Sequence, residues 1–145
     1  MGTVRGCSFP DDLYYNVDNN VWVRREDDGT VTVGLTAYAG ALAGQIVSYT
    51  PKKVGKSVKK DKSCATVESG KWVGPVKTPV AGEIVAINDK VAEKPALINE
   101  DPYGEGWVVR IKPSDWDGDA ADLKTGQEAL AAFEAKMESE GFGGC

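Results

Sequence analysis

The 145-residue chain is long enough for one domain with a substantial core, and 41% of its residues are hydrophobic. Its 17 basic and 22 acidic residues give a net charge of −5, which argues against a nucleic-acid binder. No apolar run is long enough to cross a bilayer and the first ten residues lack a signal-peptide core, so we expect a cytoplasmic protein without membrane contact.

The side chains that usually carry catalysis are scarce. Histidine is absent, which removes the commonest general base and metal ligand. Cys7, Cys64 and Cys145 are odd in number and lack Cys-x-x-Cys spacing, so we expect neither a disulfide framework nor a zinc site. Cys64 is predicted to be a buried core residue, with Cys7 and Cys145 in tails. Any chemistry should therefore come from an attached group.

The first part of the chain predicts short strands and tight turns. The elements are, in order, an edge segment around 13–15, a strand over 21–24, a hairpin turn at Asp28-Gly29, a returning strand over 30–35, a short helix over 37–43 and a strand over 45–49. Thr36 is the predicted N-cap of the helix, and Gly44 its C-terminal stop.

A lysine-rich segment follows at 52–62. Its lysines occupy positions 52, 53, 56, 59, 60 and 62. Lysines of this kind commonly keep an edge strand soluble and unpaired, which is the interpretation we favour. Docking of an acidic partner is the alternative.

The central feature is a second predicted hairpin. A strand beginning at Cys64 ends at Ser69-Gly70, and another extended segment runs from Lys71 towards Pro79. Gly70 is free to adopt a positive φ at the turn, so we expect Lys71 at the tip, pointing into water.

Two five-residue segments echo each other on either side of this hairpin. Ala-Gly-Gln-Ile-Val at 43–47 recurs as Ala-Gly-Glu-Ile-Val at 81–85. Each begins a predicted strand after a glycine, which suggests two similar halves. Two small antiparallel sheets with quasi-twofold symmetry, packed face to face, would form a flattened sandwich or barrel.

The remaining chain predicts a mixture of short helices, a loop and one more strand. The elements are a helix over about 90–97 capped by Asn88, a loop over 99–106, a strand over 107–111 and a C-terminal helix over about 126–140. Thr125 and Glu128 form a capping-box pattern, and Leu130, Phe133 and Met137 share one apolar helix face that favours core packing. We therefore expect a single domain over 1–145, with its core over 13–113 and a mobile tail over 141–145.

Four segments together resemble one family. They are Val-Thr-Val-Gly-Leu-Thr-Ala-Tyr-Ala at 31–39, Ala-Thr-Val-Glu-Ser-Gly-Lys at 65–71, Pro-Val-Ala-Gly-Glu-Ile-Val at 79–85 and Ile-Asn-Glu-Asp-Pro-Tyr-Gly-Glu-Gly-Trp at 98–107. In this order they are similar to the H-proteins of the glycine cleavage system, in the lipoyl-domain superfamily. The resemblance implies a mainly β barrel-sandwich hybrid fold.

The resemblance also implies a function for the hairpin tip. Lys71 matches the lysine that carries lipoic acid in amide linkage, and the protein would be a non-catalytic carrier that works with a swinging arm. Glu68, Ser69, Gly70 and Gly55 match the positions that lipoate-attaching enzymes are expected to recognise. An exposed thiol at Cys7 or Cys145 would be able to exchange with a lipoyl disulfide.

The residues around the tip depart from most H-proteins. Lys71 lies between Gly70 and Trp72, and Val-Gly-Pro at 73–75 replaces a small and acidic stretch. Trp72 either packs on the hairpin or contacts the arm or a partner. The Gly-Lys-Trp tip resembles the lipoate-binding proteins of the heterodisulfide-reductase-like pathway of sulfur oxidation. That resemblance implies a sulfur cargo, with the heterodisulfide-reductase-like complex and a dihydrolipoamide dehydrogenase as partners.

Three alternatives stay open. The first is a glycine cleavage H-protein that carries an aminomethyl group between glycine decarboxylase and aminomethyltransferase. The second is a lipoyl-like fold used as an unmodified interaction module, which the retained Glu-Ser-Gly-Lys at 68–71 disfavours. The third is a biotin carrier, but these usually have Met-Lys-Met at the tip.

Overall fold

The structure, a computed structural model, describes residues 2–145. The strands are β1 (Gly2–Val4), β2 (Cys7–Phe9), β3 (Tyr14–Asn16), β4 (Val21–Arg25), β5 (Val31–Leu35), β6 (Ile46–Pro51), β7 (Ser57–Val58), β8 (Ser63–Ser69), β9 (Val73–Lys77), β10 (Gly82–Ile87) and β11 (Val109–Pro113). The helices are α1 (Ala37–Ala43), α2 (Asp89–Glu93), α3 (Leu97–Glu100), α4 (Trp116–Ala120) and α5 (Gly126–Glu140). Among these described residues, no helix is both long and apolar enough to cross a membrane.

The strands form three antiparallel sheets of unequal size within the described chain. The orders are β3-β4-β5-β11-β10-β7, β6-β8-β9 and β1-β2. The predicted mainly β, antiparallel fold with short helices and a C-terminal helix is confirmed. The two principal sheets contain six and three strands rather than matching one another in size.

The principal core lies between the six-stranded and three-stranded sheets. Val33, Val67, Ile84 and Ile111 are among its buried residues. β8 and β11 bury largely alternate side chains, β10 buries Ile84 alone, and β5 is buried along its whole length. This core holds the two sheets together and gives the β8–β9 hairpin a rigid base.

The repeated segments have matching local structures. Ile46 and Ile84 are each at most 1% exposed and belong to the same core. A bulge follows each isoleucine, between Ile46 and Ser48 in one strand and between Ile84 and Ala86 in the other. The two repeated segments therefore begin strands in different sheets, and each strand has a bulge at the same position of the repeat.

A second core joins the N-terminal hairpin to α5. Phe9 and Phe133 stack with their ring centroids 4.3 Å apart, and Met137 is fully buried beside them. Leu130 packs against the same cluster, so the predicted apolar face of the C-terminal helix contacts core residues. This second core therefore includes residues that precede the 13–113 segment in the sequence and residues that follow it.

Two expectations for the termini are wrong. Cys7 and Cys145 form a disulfide, although the cysteine pattern predicted none. The last residues are held in place rather than free: the Cys145 N–H donates to the Arg5 carbonyl at 2.9 Å, and Arg5 Nη1 donates to the Phe142 carbonyl at 2.7 Å. Helix α5 brings the end of the chain back to the N-terminal hairpin, which spacing alone does not reveal.

The structure also differs from two predictions about the helices. Asn88 caps a helix as predicted, but this helix ends at Glu93 and a separate helix follows at Leu97–Glu100. Pro95 disfavours helical backbone at Lys94, so the helix stops there. Thr125 precedes α5 without any side-chain capping hydrogen bond, so the predicted capping box does not form.

Candidate functional site

The tip of the β8–β9 hairpin is a tight turn with Lys71 exposed to solvent. The Ser69 N–H donates to the Trp72 carbonyl at 2.7 Å and closes the turn. Ser69 Oγ also accepts from the Lys71 N–H at 3.3 Å. The prediction that Gly70 adopts a positive φ is wrong. The Ser69 side chain organises the turn instead, so no left-handed residue is needed there.

The hairpin tip rests on the C-terminal end of helix α1. Ser69 is only 5% exposed, and its Oγ donates to the Ala43 carbonyl at 2.6 Å. A helix leaves its last carbonyls without partners inside the helix, so a hydroxyl donor here satisfies one of them. Ser69 therefore couples the tip to the helix.

Asn99 fixes the same helix end from the other side. Its Nδ2 donates to the carbonyls of Gly44 and Gly40, at 2.9 and 3.3 Å, and its Oδ1 accepts from the Ile46 N–H at 2.8 Å. Asn99 thus holds both the end of α1 and the start of β6. Sequence reasoning assigned Asn99 no role, although it lies in the 98–107 segment that contributes to the family resemblance.

The side chain of Lys71 passes over Gly44. A Cβ atom built at Gly44 would lie 3.1 Å from Lys71 Cε and 3.9 Å from its Nζ. Gly44 has φ +84°, a conformation that other residues rarely adopt. Glycine at position 44 therefore leaves room for the side chain of Lys71, which is exposed to solvent.

The predicted recognition residues fall into two places. Glu68, Ser69 and Gly70 adjoin Lys71 at the tip, with Glu68 exposed and paired with Val73 across the hairpin. Gly55 lies in the loop after β6, where its N–H donates to the Ile84 carbonyl at 2.8 Å. That loop adjoins the opposite end of β8, so Gly55 does not join the cluster around Lys71.

Trp72 packs on the hairpin and also borders a groove. Its ring covers Gly74, where a Cβ would lie 2.2 Å from Trp72 Cζ2. It also lines a cavity of about 210 Å³ beside α1, together with Leu35, Ala39, Leu42 and Pro75. The ring remains 39% exposed, so packing and contact with an arm or partner are compatible roles.

Exposed hydrophobic side chains gather around the tip. Leu42, Val47 and Val73 are 42%, 60% and 61% exposed, and they lie at the end of α1, the start of β6 and the start of β9. Apolar side chains grouped on a surface commonly mark an interaction site. Sequence patterns did not single out Leu42 or Val47, because only the fold brings the end of α1 and the start of β6 to Ser69 at the hairpin tip.

The described part of the hairpin holds neither a metal-binding cluster nor an exposed thiol. Within residues 2–145, no group of three or more His, Cys, Asp or Glu residues is placed to hold a metal ion. Burial raises the pKa of the Cys64 thiol to about 12, and the thiol contacts the Val76 carbonyl at 3.4 Å. A thiol with this pKa is protonated at neutral pH and is a poor nucleophile. Cys64 is therefore a buried, unreactive core residue.

Comparisons with known proteins agree with this geometry. Residues 13–136 match the family model described as glycine cleavage H-protein. Glycine cleavage system H protein 2 of Aquifex aeolicus is 50% identical over 136 residues, covering 94% of this chain and 84% of that protein. H protein 5 of the same organism is 49% identical over 144 residues, covering 97% of each.

A solved structure supports the same assignment. The crystal structure of a glycine cleavage system H protein from Mycobacterium marinum has a TM-score of 0.75 and 30% sequence identity. The match covers 92% of this chain and 100% of that one. The fold is therefore shared along nearly the whole length of both proteins.

The fold and the exposed tip define a lipoyl carrier, a class of protein that bears a cofactor for other enzymes. The chain belongs to the glycine cleavage H-protein family. Members of this family are not enzymes, and they carry lipoate covalently on a lysine.

Proposed function

We propose that Lys71 is the lysine to which lipoate is attached. The observation that carries this assignment is the exposed amine on a turn closed by Ser69, with its stem over a glycine. Lipoate bound there would supply a redox-active dithiol on a long, flexible arm. Glu68, Ser69 and Gly70 lie beside Lys71 and are the residues that a lipoate-attaching enzyme would contact first.

The cargo supported best is the aminomethyl group of glycine cleavage. The relatives at about 50% identity are named glycine cleavage H proteins, which favours this function over the sulfur transfer that the tip sequence suggested. The partners would be glycine decarboxylase, aminomethyltransferase, a dihydrolipoamide dehydrogenase and lipoate-attaching enzymes, all in the cytoplasm. The apolar side chains around Lys71 offer these enzymes a surface to contact.

Sulfur transfer is the second candidate, and Trp72 is the observation that favours it. An exposed indole beside the lysine, followed by the exposed Val73, changes the shape of the surface that a glycine decarboxylase would contact. Discrimination between partners often depends on local mismatches of this kind. A heterodisulfide-reductase-like complex would then replace glycine decarboxylase as the partner.

Loading with labelled glycine separates these functions. The lipoylated, oxidised protein is incubated with glycine decarboxylase, and carbon dioxide release and the mass of the arm are followed, with Lys71→Arg as the control. Loading at the rate of an authentic H-protein supports glycine cleavage. Absent loading, together with a growth defect confined to sulfur oxidation after gene deletion, would support the sulfur function instead.

A further inference from the structure

The Cys7–Cys145 disulfide lies at one end of the helix whose other end supports Lys71. Cys145 Sγ is 3.8 Å from the carbonyl oxygen of Ala37, the first residue of α1. Lys71 Cε lies over Gly44, the residue that ends α1. The disulfide and the arm attachment site are therefore separated by roughly the length of one short helix.

The arm is long enough to bridge this separation. Helix α1 contains seven residues, which corresponds to about 10 Å at 1.5 Å per residue. A lipoyl group on Lys71 places eight further covalent bonds between Cε and the first sulfur, about 10 Å when extended. The dithiol of a flexible arm can therefore reach the neighbourhood of Cys145.

The two sulfurs of the disulfide differ in access. Cys7 is 1% exposed, in the second core, whereas Cys145 is exposed at the chain end. Thiol–disulfide exchange needs an accessible sulfur and a leaving thiol. Disulfides in a reducing compartment are usually transient or redox-active rather than structural. The accessibility of Cys145 points to attack at its sulfur, with Cys7 as the leaving group.

We propose that the Cys7–Cys145 disulfide accepts electrons from the reduced dithiol of the protein's own arm. The proposal rests on lipoylation of Lys71. Cys145 Sγ bonds to one arm sulfur, which has lost its proton, while the Cys7–Cys145 bond breaks and Cys7 leaves as a thiolate and is protonated. The second arm sulfur loses its proton and bonds to the first, and Cys145 leaves and is protonated. Two electrons and two protons thereby pass to the cysteine pair.

This exchange gives the disulfide a function as an internal electron store. It returns the arm to its oxidised form without a partner enzyme. It also breaks the covalent bond between the chain end and the N-terminal hairpin, so that noncovalent contacts hold the tail, among them the hydrogen bonds of Arg5 with Cys145 and Phe142 and the ring contact of Phe142 with Tyr38. Reduction of the arm thus leads to breakage of a covalent bond at the opposite end of α1.

Thiol trapping tests the proposal. Oxidised, lipoylated protein is treated with NADH and a catalytic amount of dihydrolipoamide dehydrogenase, then alkylated under native conditions and mapped by peptide mass. We expect alkylation of the exposed Cys145 in the lipoylated protein, with Cys7 detected as a free thiol only after subsequent unfolding, and an intact disulfide in Lys71→Arg. The buried Cys64 should stay unmodified in both and serves as the internal control.

An intact disulfide beside a fully reduced arm would overturn the proposal. Intact mass before treatment shows whether Lys71 bears lipoate, so failure of the proposed attachment is seen separately. Dilution supplies a second test, because exchange within one chain has a rate independent of protein concentration. A rate proportional to concentration would assign the exchange to different molecules and contradict the proposal.

Free dihydrolipoamide gives the matched comparison. A tethered group commonly has an effective concentration of order 1 mM. With about 10 μM free dihydrolipoamide, the disulfide of Lys71→Arg should therefore open about 100-fold more slowly than that of the lipoylated protein. Equal rates would show that the tether contributes nothing, and would overturn the intramolecular route.

Discussion

Ser69 Oγ donates a 2.6 Å hydrogen bond to the carbonyl oxygen of Ala43, which joins the hairpin tip to the end of α1. The same hydroxyl oxygen accepts from the Lys71 N–H at 3.3 Å. The buried Ser69 side chain thus stabilises the turn and also joins it to helix α1. The position of the lysine consequently depends on a helix distant from it in sequence.

Replacing Ser69 by Ala should lower the free energy of unfolding by about 1–3 kcal/mol, because it leaves a buried carbonyl without its donor. Urea denaturation measures this loss. Ser57→Ala is the control, since Ser57 is exposed in β7 and should change stability by no more than about 0.5 kcal/mol. Equal losses in the two variants would show that the Ser69–Ala43 bond contributes nothing.

Replacing Gly44 by Ala should cost about 1–3 kcal/mol of stability, because its φ of 84° and ψ of −175° lie in a region that is essentially restricted to glycine. The new Cβ should also displace Lys71 and slow its lipoylation. Gly29→Ala is a matched control, since Gly29 has φ +88° and a Cβ there would meet no atom within 4 Å. We expect both variants to lose stability, with slower lipoylation only in Gly44→Ala.

Replacing Lys71 by Arg should abolish lipoylation and change the free energy of unfolding by less than about 0.5 kcal/mol, because the side chain is exposed. Intact mass and peptide mapping measure the first effect, and thermal denaturation the second. Lys77→Arg, at the other end of β9, should keep the lipoyl group. Finding the group on Lys77 instead would show that the attachment site is misassigned.

Replacing either Ile46 or Ile84 by Ala should lower stability by about 2–5 kcal/mol, because both side chains are buried in the core between the sheets. Val47→Ala, one residue away and 60% exposed, should have little effect. Chemical denaturation of the three variants gives the comparison. A small effect at only one isoleucine would contradict the matching environments of the repeated segments.

Reducing the Cys7–Cys145 disulfide should lower stability by about 5 kcal/mol on the chain-entropy account, because the bond joins residues 138 positions apart. Denaturation with and without a strong reductant measures the loss. The Cys7→Ser, Cys145→Ser double variant should start at the lower value and not respond to reductant. A reductant-sensitive double variant would assign the effect to something other than this bond.

The sequence by itself determined the local elements, because their signals depend on neighbouring residues. Thr36 was predicted to cap α1, and its Oγ accepts from the Ala39 N–H at 3.1 Å. Gly141 was predicted to stop α5, and it adopts the left-handed conformation with φ +68°. The spacing of residues around Lys71 likewise indicated an exposed hairpin tip, since the turn is local.

Only the tertiary structure decided which distant residues meet. Asn99 reaches the end of α1 across more than fifty positions, and Cys145 meets Cys7 because α5 returns the chain to its beginning. The end of α1, with Leu42, and the start of β6, with Val47, meet Ser69 at the hairpin tip for the same reason. Such contacts depend on how sheets and helices pack against one another, and the side chains that form them carry no periodic or spacing signal in the sequence.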